Sequence, residues 1–137
     1  MAAVTGIDTV SFLTGFSVDL ETLADEGWGE KARGSVTWRT LVDADRHPSA
    51  SLAAGVATFG PGGSLNPHRH GPAEFYFGLD GDGIVTVDGV PHWIAAGVAV
   101  YLPPDAEHGT VAGPEGLRLL YVFPVDRLDE VDYRFSA

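Results

Sequence analysis

The chain has 137 residues, 45% of them hydrophobic, which is enough for one domain with a single buried core. Nineteen acidic residues against eight basic ones give a formal net charge of −11 at pH 7. This balance argues against nucleic acid or an anionic membrane as a partner, because phosphate contacts need clustered lysine and arginine. The absence of cysteine excludes disulfides and thiol chemistry. No apolar run reaches the length of a membrane span, and we expect a cytoplasmic protein.

Residues 1–35 carry the weakest pattern and are expected to form an extension in front of the main domain. Residues 19–25 have the composition of one or two helical turns, which Gly27-Trp28-Gly29 ends. Trp28 is expected to be a packing anchor. Four apolar residues of the extension are expected to pack across a neighbouring sheet: Val10, Phe12, Leu13 and Phe16.

Short strand-like stretches separated by glycine and proline follow one another along the middle of the chain. The predicted strands are 36–42, 50–59, 74–79, 84–87, 90–94, 98–102, 108–111 and 117–123. Asp88-Gly89 is typical of a two-residue hairpin, and turns are predicted at 81–83 and 113–116. This succession indicates an all-β sandwich or barrel. Residues 124–137 form an acidic tail whose apolar side chains are expected to pack on the barrel or on a second subunit.

Three of the five histidines, with one glutamate, are spaced as metal ligands would be. Because side chains on a strand alternate faces, His68 and His70 point the same way if residues 66–70 are extended. The turn-like composition of 71–73 can bring Glu74 back toward these imidazoles. His108 must come from a separate strand, which a closed all-β fold provides. By contrast, His47 precedes a proline in a polar loop and is expected to be solvent-exposed.

Imidazole and carboxylate groups are ligands for Fe, Zn, Ni, Cu or Mn, and the missing thiolates remove the soft-metal interpretation. We therefore predict one divalent transition metal ion, of unresolved identity, held by His68, His70, Glu74 and His108. Three imidazoles and one carboxylate leave open positions on an ion that accepts five or six ligands. Open positions are typical of a catalytic rather than a structural site.

The same residues resemble the paired motifs of the cupin family. The first motif is usually written G(X)5HXH(X)3–4E(X)6G, and this chain matches it at every fixed position with Gly62, His68, His70, Glu74 and Gly81. The resemblance implies a double-stranded β-helix, or jelly-roll barrel, over residues 36–123.

The second cupin motif is usually written G(X)5PXG(X)2H(X)3N. Gly97, Pro103 and His108 match it, whereas Asp105 replaces the usual glycine and Ala112 the usual asparagine. Because aspartate tolerates a left-handed backbone better than most residues, the first departure is mild. By resemblance to other cupins we also expect a homodimer.

A subset of cupins, the dimethylsulfoniopropionate lyases, is still more similar to residues 68–76. These proteins share His-x-His, a short proline-containing turn and Glu-x-Tyr, which here ends at Glu74 and Tyr76. The resemblance implies β-elimination, in which the metal holds the substrate carboxylate, Tyr76 removes the α-proton and a sulfide leaves. A phenol near a dication loses its proton more easily. The alternative is that Tyr76 simply fills the barrel.

Other functions fit the same motif pair and stay open at this point. The chain could be an iron-dependent dioxygenase, a cupin polyketide cyclase or isomerase, or a non-enzymatic cupin that binds a small molecule. The preferred interpretation is a metal-dependent lyase or related proton-transfer enzyme acting on a small carboxylate or carbonyl compound. The aromatic or imidazole side chains considered for its pocket, where an aromatic wall could hold a sulfonium, are Trp38, Tyr101, Tyr121 and His92.

Overall fold

A computed structural model of the protein describes residues 13–137, in which eight β-strands form one sheet. The fold is all-β, as predicted, but four of the predicted strands are joined in two long ones, and two further strands, at 64–69 and 134–135, were not among those predicted. The strands are β1 Thr37–Val42, β2 Ala53–Phe59, β3 Ser64–Arg69, β4 Glu74–Val87, β5 Val90–Ala95, β6 Ala99–Leu102, β7 His108–Phe123 and β8 Arg134–Phe135.

The two longest strands, β4 and β7, form the frame of the barrel. They pair antiparallel from Phe75 opposite Val122 to Val87 opposite His108. The C-terminal half of β7 also pairs with β2, and its N-terminal half pairs with β3. One strand therefore joins both halves of the barrel, and it begins at one of the histidines of the motif pair.

The predicted turns at 81–83 and 113–116 are wrong, because β4 and β7 run through them as continuous strands. The register of the β4–β7 ladder shifts at these glycines, between Gly78 and Asp80 and again between Gly81 and Gly83. Gly81 has a φ of +68°, and a Cβ there would overlap the carbonyl of Gly116. A glycine is therefore required by close approach of two backbones and not by a reversal of the chain.

The predicted hairpin at Asp88-Gly89 is confirmed. It joins β4 to β5 with Val87 opposite Val90. Both central residues have positive φ, 46° at Asp88 and 81° at Gly89, as the common two-residue hairpin turn requires.

The N-terminal extension contributes little regular structure to the described residues. Its helical stretch is one 3-10 turn, Leu20–Thr22, at which the Asp19 carboxylate accepts a hydrogen bond of 3.0 Å from the backbone N–H of Glu21. Of the expected apolar group, Val10 and Phe12 lie outside the described residues. Phe16 stacks on the ring of His47 instead of crossing a sheet, with ring centroids 4.6 Å apart.

The C-terminal segment packs back on the barrel, which was one of the two expected arrangements. After the 3-10 turn Leu128–Glu130, the chain buries Val131 and then pairs β8 with β3. Within the described part of the chain the helical segments are two three-residue 3-10 turns, and none is long enough to cross a membrane.

Candidate metal centre and its cavity

The three histidines and the glutamate of the two motifs meet inside the barrel, at the ends of three strands. His68 lies near the end of β3, His70 one residue beyond it, Glu74 at the start of β4 and His108 at the start of β7. All four side chains are at most 4% exposed. His68 and His108 are directly opposite each other in the β3–β7 ladder, so register alone brings these two together.

Backbone carbonyls fix the orientation of each imidazole. The Nδ1 of His68 lies 2.8 Å from the carbonyl oxygen of Asn66, and the Nδ1 of His108 lies 3.0 Å from that of Ala106. The Nδ1 of His70 makes the equivalent contact at 2.9 Å with a carbonyl of the following turn. Because a carbonyl only accepts, each Nδ1 carries the proton, and the neutral ring presents an Nε2 lone pair.

The free ring nitrogens converge on one point. One nitrogen from each of His68, His70 and His108 lies within 4.8 Å of the others. The Nε2 atoms of His68 and His108 are buried and have no hydrogen-bond partner. A buried polar atom without a partner is costly, and two such nitrogens aimed at the same point as the Nε2 of His70 fit a divalent transition metal ion.

Glu74 completes the set with a negative charge. Its Oε1 lies 3.2 Å from the Nε2 of His70 and 3.5 Å from that of His108. Burial by itself would raise the pKa of Glu74, but the neighbouring imidazoles of His108 and His70 outweigh burial and lower that pKa. The carboxylate is therefore ionised where a cation would need it.

The His68 imidazole stays neutral over the ordinary pH range. Burial, followed by the positive charge of His108, lowers the pKa of His68 to about 4. A neutral imidazole is the form that binds a metal ion, so burial keeps the Nε2 lone pair of His68 available for one.

The departure from the second motif at Asp105 is structurally harmless. Its φ is 63°, the left-handed conformation in which the motif usually has glycine. The backbone N–H of Asp105 donates to the carbonyl of His70 over 2.9 Å, which ties the second motif to the first.

A cavity of about 530 Å³ opens beside the four side chains. Glu74 lines it, and so do Tyr76, Trp38 and Tyr121. Of the residues predicted for the pocket, Trp38 and Tyr121 therefore lie at its surface. Gly55 makes room for Tyr121, since a Cβ at that position would overlap the tyrosine hydroxyl.

Tyr101 and His92 are placed elsewhere. Tyr101 is 64% exposed and points away from the cavity, because β6 turns Val100 and Leu102 inward and the alternate residues outward. His92 is exposed on β5. His47 is half-buried instead of fully exposed, because Phe16 stacks on its ring and its Nδ1 is buried, and it is not among the convergent histidines.

Tyr76 faces the interior, on the same side of β4 as Glu74. It is 3% exposed, and its ring centroid is 6.3 Å from that of His108. Burial, followed by the negative charge of Glu74, raises the pKa of Tyr76 well above its ordinary value of 10.0. In the structure as described, the phenol is thus protonated.

The most important cavity residue that the sequence analysis missed is Tyr133. Its ring centroid lies 5.2 Å from those of both His68 and His70. The one local signal was the spacing of Tyr133 and Phe135, two aromatic residues that share a face if the tail is extended. Trp28 lines the cavity too, with its ring centroid 5.1 Å from that of Tyr133.

Comparisons with known proteins match this architecture. The cupin domain model matches residues 55–123, about half of the chain. The dimethylsulfoniopropionate lyase DddW of Ruegeria pomeroyi is 52% identical over 121 residues, covering 88% of this chain and 80% of the relative.

Two solved structures share the fold. The polyketide cyclase RemF of Streptomyces resistomycificus superposes with a TM-score of 0.76 at 24% identity, over 90% of this chain and 87% of RemF. A chain from crystal structures of the dimethylsulfoniopropionate lyases RdDddP and RnDddQII gives a TM-score of 0.72 at 19% identity, over 84% and 63% of the two chains. The domain match, the 52% identity to a lyase of this class and the barrel with its convergent histidines show that the chain belongs to the cupin family.

Proposed function

We propose that the protein is a metal-dependent lyase that cleaves dimethylsulfoniopropionate by β-elimination. The observation that carries the proposal is the placement of Glu74 and Tyr76 on one face of β4, beside three convergent histidines and at the surface of one cavity. The 52% identity to a relative named as a dimethylsulfoniopropionate lyase supports the same reaction.

Four side chains would hold the ion: His68, His70, Glu74 and His108. A bound divalent ion would supply Lewis acidity toward the carboxylate of the substrate. The positive charge of the ion would offset the negative charge of Glu74. It would thereby lower the pKa of the nearby Tyr76 phenol and favour its ionised form. In the structure as described the phenol is protonated, so its role as a base depends on that charge.

The elimination needs one base and a path for the leaving group. The Tyr76 oxygen takes the α-proton, the electron pair of that C–H bond forms the C=C bond, and the C–S bond breaks. Dimethyl sulfide leaves with the electrons of the C–S bond, and acrylate remains. Tyr76 is buried at the cavity surface, so the proton passes to a group that is shielded from bulk water.

The cavity walls fit a substrate that carries both a carboxylate and an onium cation. The faces of Trp38 and Tyr121 are the kind of surface on which a sulfonium is attracted by the aromatic quadrupole. Asp43 adds negative charge to the same wall, whereas the charge of Glu26 is balanced by its ion pair with Arg46 at 2.8 Å. The volume of about 530 Å³ lies within the range of small-molecule sites.

The ligand assignment predicts the metal content of histidine variants. His108→Ala should weaken metal binding at least about 100-fold, because it removes one of four ligands, and the protein should purify with little metal. The measurement is metal stoichiometry by inductively coupled plasma mass spectrometry. His92→Ala is the matched control, since that histidine is exposed, and it should keep the wild-type metal content. Equal metal content in both variants would remove His108 from the ligand set.

Removal of the metal should make stability depend on pH. In the unfolded chain His68 titrates near 6.5, whereas the pKa of the buried ring is about 4. Below pH 6.5 the unfolded state therefore binds more protons, and stability falls until about pH 4, by about 3 kcal/mol for this residue. Urea unfolding of chelator-treated protein at pH 7.5, 5.5 and 4 measures this loss. His68→Gln should flatten the profile, whereas His92→Gln should not; identical profiles for all three proteins would refute the coupling.

Turnover tests the reaction itself. The wild-type protein, loaded separately with Fe, Zn, Ni or Mn, should release dimethyl sulfide from dimethylsulfoniopropionate without consuming dioxygen. Tyr76→Phe should keep its metal and lose turnover by a factor of roughly 100 or more, because the base is missing. Gas chromatography and an oxygen electrode are the two readouts.

Tyr101→Phe provides the matched control for this experiment, since Tyr101 lies on the outer surface. Dioxygen consumption with an iron-loaded protein would favour the dioxygenase alternative instead. No sulfide with any of the four metals would eliminate the narrow lyase proposal, and a retained rate in Tyr76→Phe would return that residue to a packing role.

We further propose a cytoplasmic homodimer, by resemblance to other cupins. The outer face of the sheet supports an interface because large apolar side chains are exposed there, among them Phe75, Trp93 and Val111. Sedimentation equilibrium at micromolar concentration should give twice the mass of the chain, and a monomer at these concentrations would rule out a stable dimer.

A further inference from the structure

Residues 131–136, the C-terminal strap, are fixed at both ends. At one end, Val131 is buried in the hydrophobic core. At the other, β8 pairs with β3 so that Phe135 lies opposite His68, and the backbone N–H of Ser136 donates to a carbonyl of β3 over 2.9 Å. The strap is thus part of the wall around the candidate metal centre.

Side chains reinforce this attachment next to the second motif. The Ser136 hydroxyl donates to the Glu107 carboxylate over 2.6 Å. Arg134 forms an ion pair with Asp105, the residue that replaces the motif glycine. Both acceptors lie within three residues of His108, so the strap is held to the segment that leads into this histidine. Between these anchors Tyr133 has one defined position.

The ring of Tyr133 covers two of the histidines on the cavity side. It packs at 5.2 Å between ring centroids from both His68 and His70. The cavity surface includes Glu74, Tyr76 and Tyr133 but none of the three imidazoles. Trp28, from the N-terminal extension, packs edge-on against the Tyr133 ring, with the two ring centroids 5.1 Å apart.

We propose that Tyr133 is a specificity-determining residue, which closes the centre on the side of His68 and His70. A ligand then reaches the ion only from the side of Glu74 and Tyr76, and the phenol ring limits the width of the group bound beside it. The inference rests on the metal centre in the proposed function, but not on the elimination reaction. It goes beyond packing because Tyr133, which packs on two of the imidazoles, also lines the cavity.

The test is equilibrium binding of carboxylates of different width to the Co²⁺-loaded protein, followed by the visible absorption of the metal. Propionate is the narrow probe and 3-phenylpropionate the wide one. Wild type should prefer propionate, and Tyr133→Ala should reduce the ratio of the two affinities about tenfold or more by opening the wall. Tyr133→Phe keeps the ring and should keep the ratio.

Tyr101→Ala removes an aromatic ring from the outer surface and should leave the ratio unchanged. If Tyr133→Ala does not fold or does not bind cobalt, Tyr133→Leu retains apolar bulk and should still lower the ratio. An unchanged ratio in a folded, cobalt-loaded Tyr133→Ala or Tyr133→Leu protein would overturn the inference. So would an equal change in Tyr101→Ala.

The outcome is separable from that of the proposed reaction. A wild-type protein that binds cobalt and discriminates between the probes, but releases no dimethyl sulfide, would contradict the lyase reaction and leave the specificity role supported. A wild-type protein that takes up no cobalt would overturn the metal centre and this inference together.

Discussion

The arrangement depends on the hydrogen bonds that hold three imidazoles to backbone carbonyls. Each Nδ1 proton is engaged by a carbonyl two residues away in the chain, so each Nε2 lone pair points into the same small volume. The cost of burying unpartnered nitrogens beside an ionised Glu74 would be offset by a cation at the point between them, as the proposed metal centre requires.

The barrel fixes this geometry through two long strands. Because β4 begins at Glu74 and β7 begins at His108, the paired frame that spans the whole molecule also carries two members of the centre. Both ends of the chain then contribute to the cavity beside it, Trp28 from the N-terminal extension and Tyr133 from the strap. The motif pair thus holds the candidate metal centre, whereas the segments outside it determine the shape of the cavity beside it.

Sequence patterns predicted the parts that are local. Alternation on a strand placed His68 and His70 on one side, and the hairpin and the left-handed Asp105 followed from residue preferences. The continuity of β4 and β7 was not predictable. A stretch whose glycines allow two backbones to approach closely has the same amino-acid composition as a stretch that forms a turn.

Features that depend on distant contacts also escaped prediction. The two-residue strand β8 forms only because it pairs with β3. The spacing of Tyr133 and Phe135 indicated a shared face, but it could not indicate that Tyr133 lies beside the imidazoles. Likewise, β6 has only four residues, too few for the sequence to indicate which side chains face inward. Tyr101 was considered for the pocket but lies on the outer surface. What the sequence lacks in each case is the neighbouring strand.

The most direct measurement is anomalous diffraction from crystals of the purified protein, recorded on both sides of the absorption edges of Fe, Ni, Zn and Mn. The account predicts a single peak within about 2.0–2.3 Å of one nitrogen from each of His68, His70 and His108 and of a Glu74 oxygen. No peak between these four side chains in fully metal-loaded crystals, or a peak held by other residues, would contradict it.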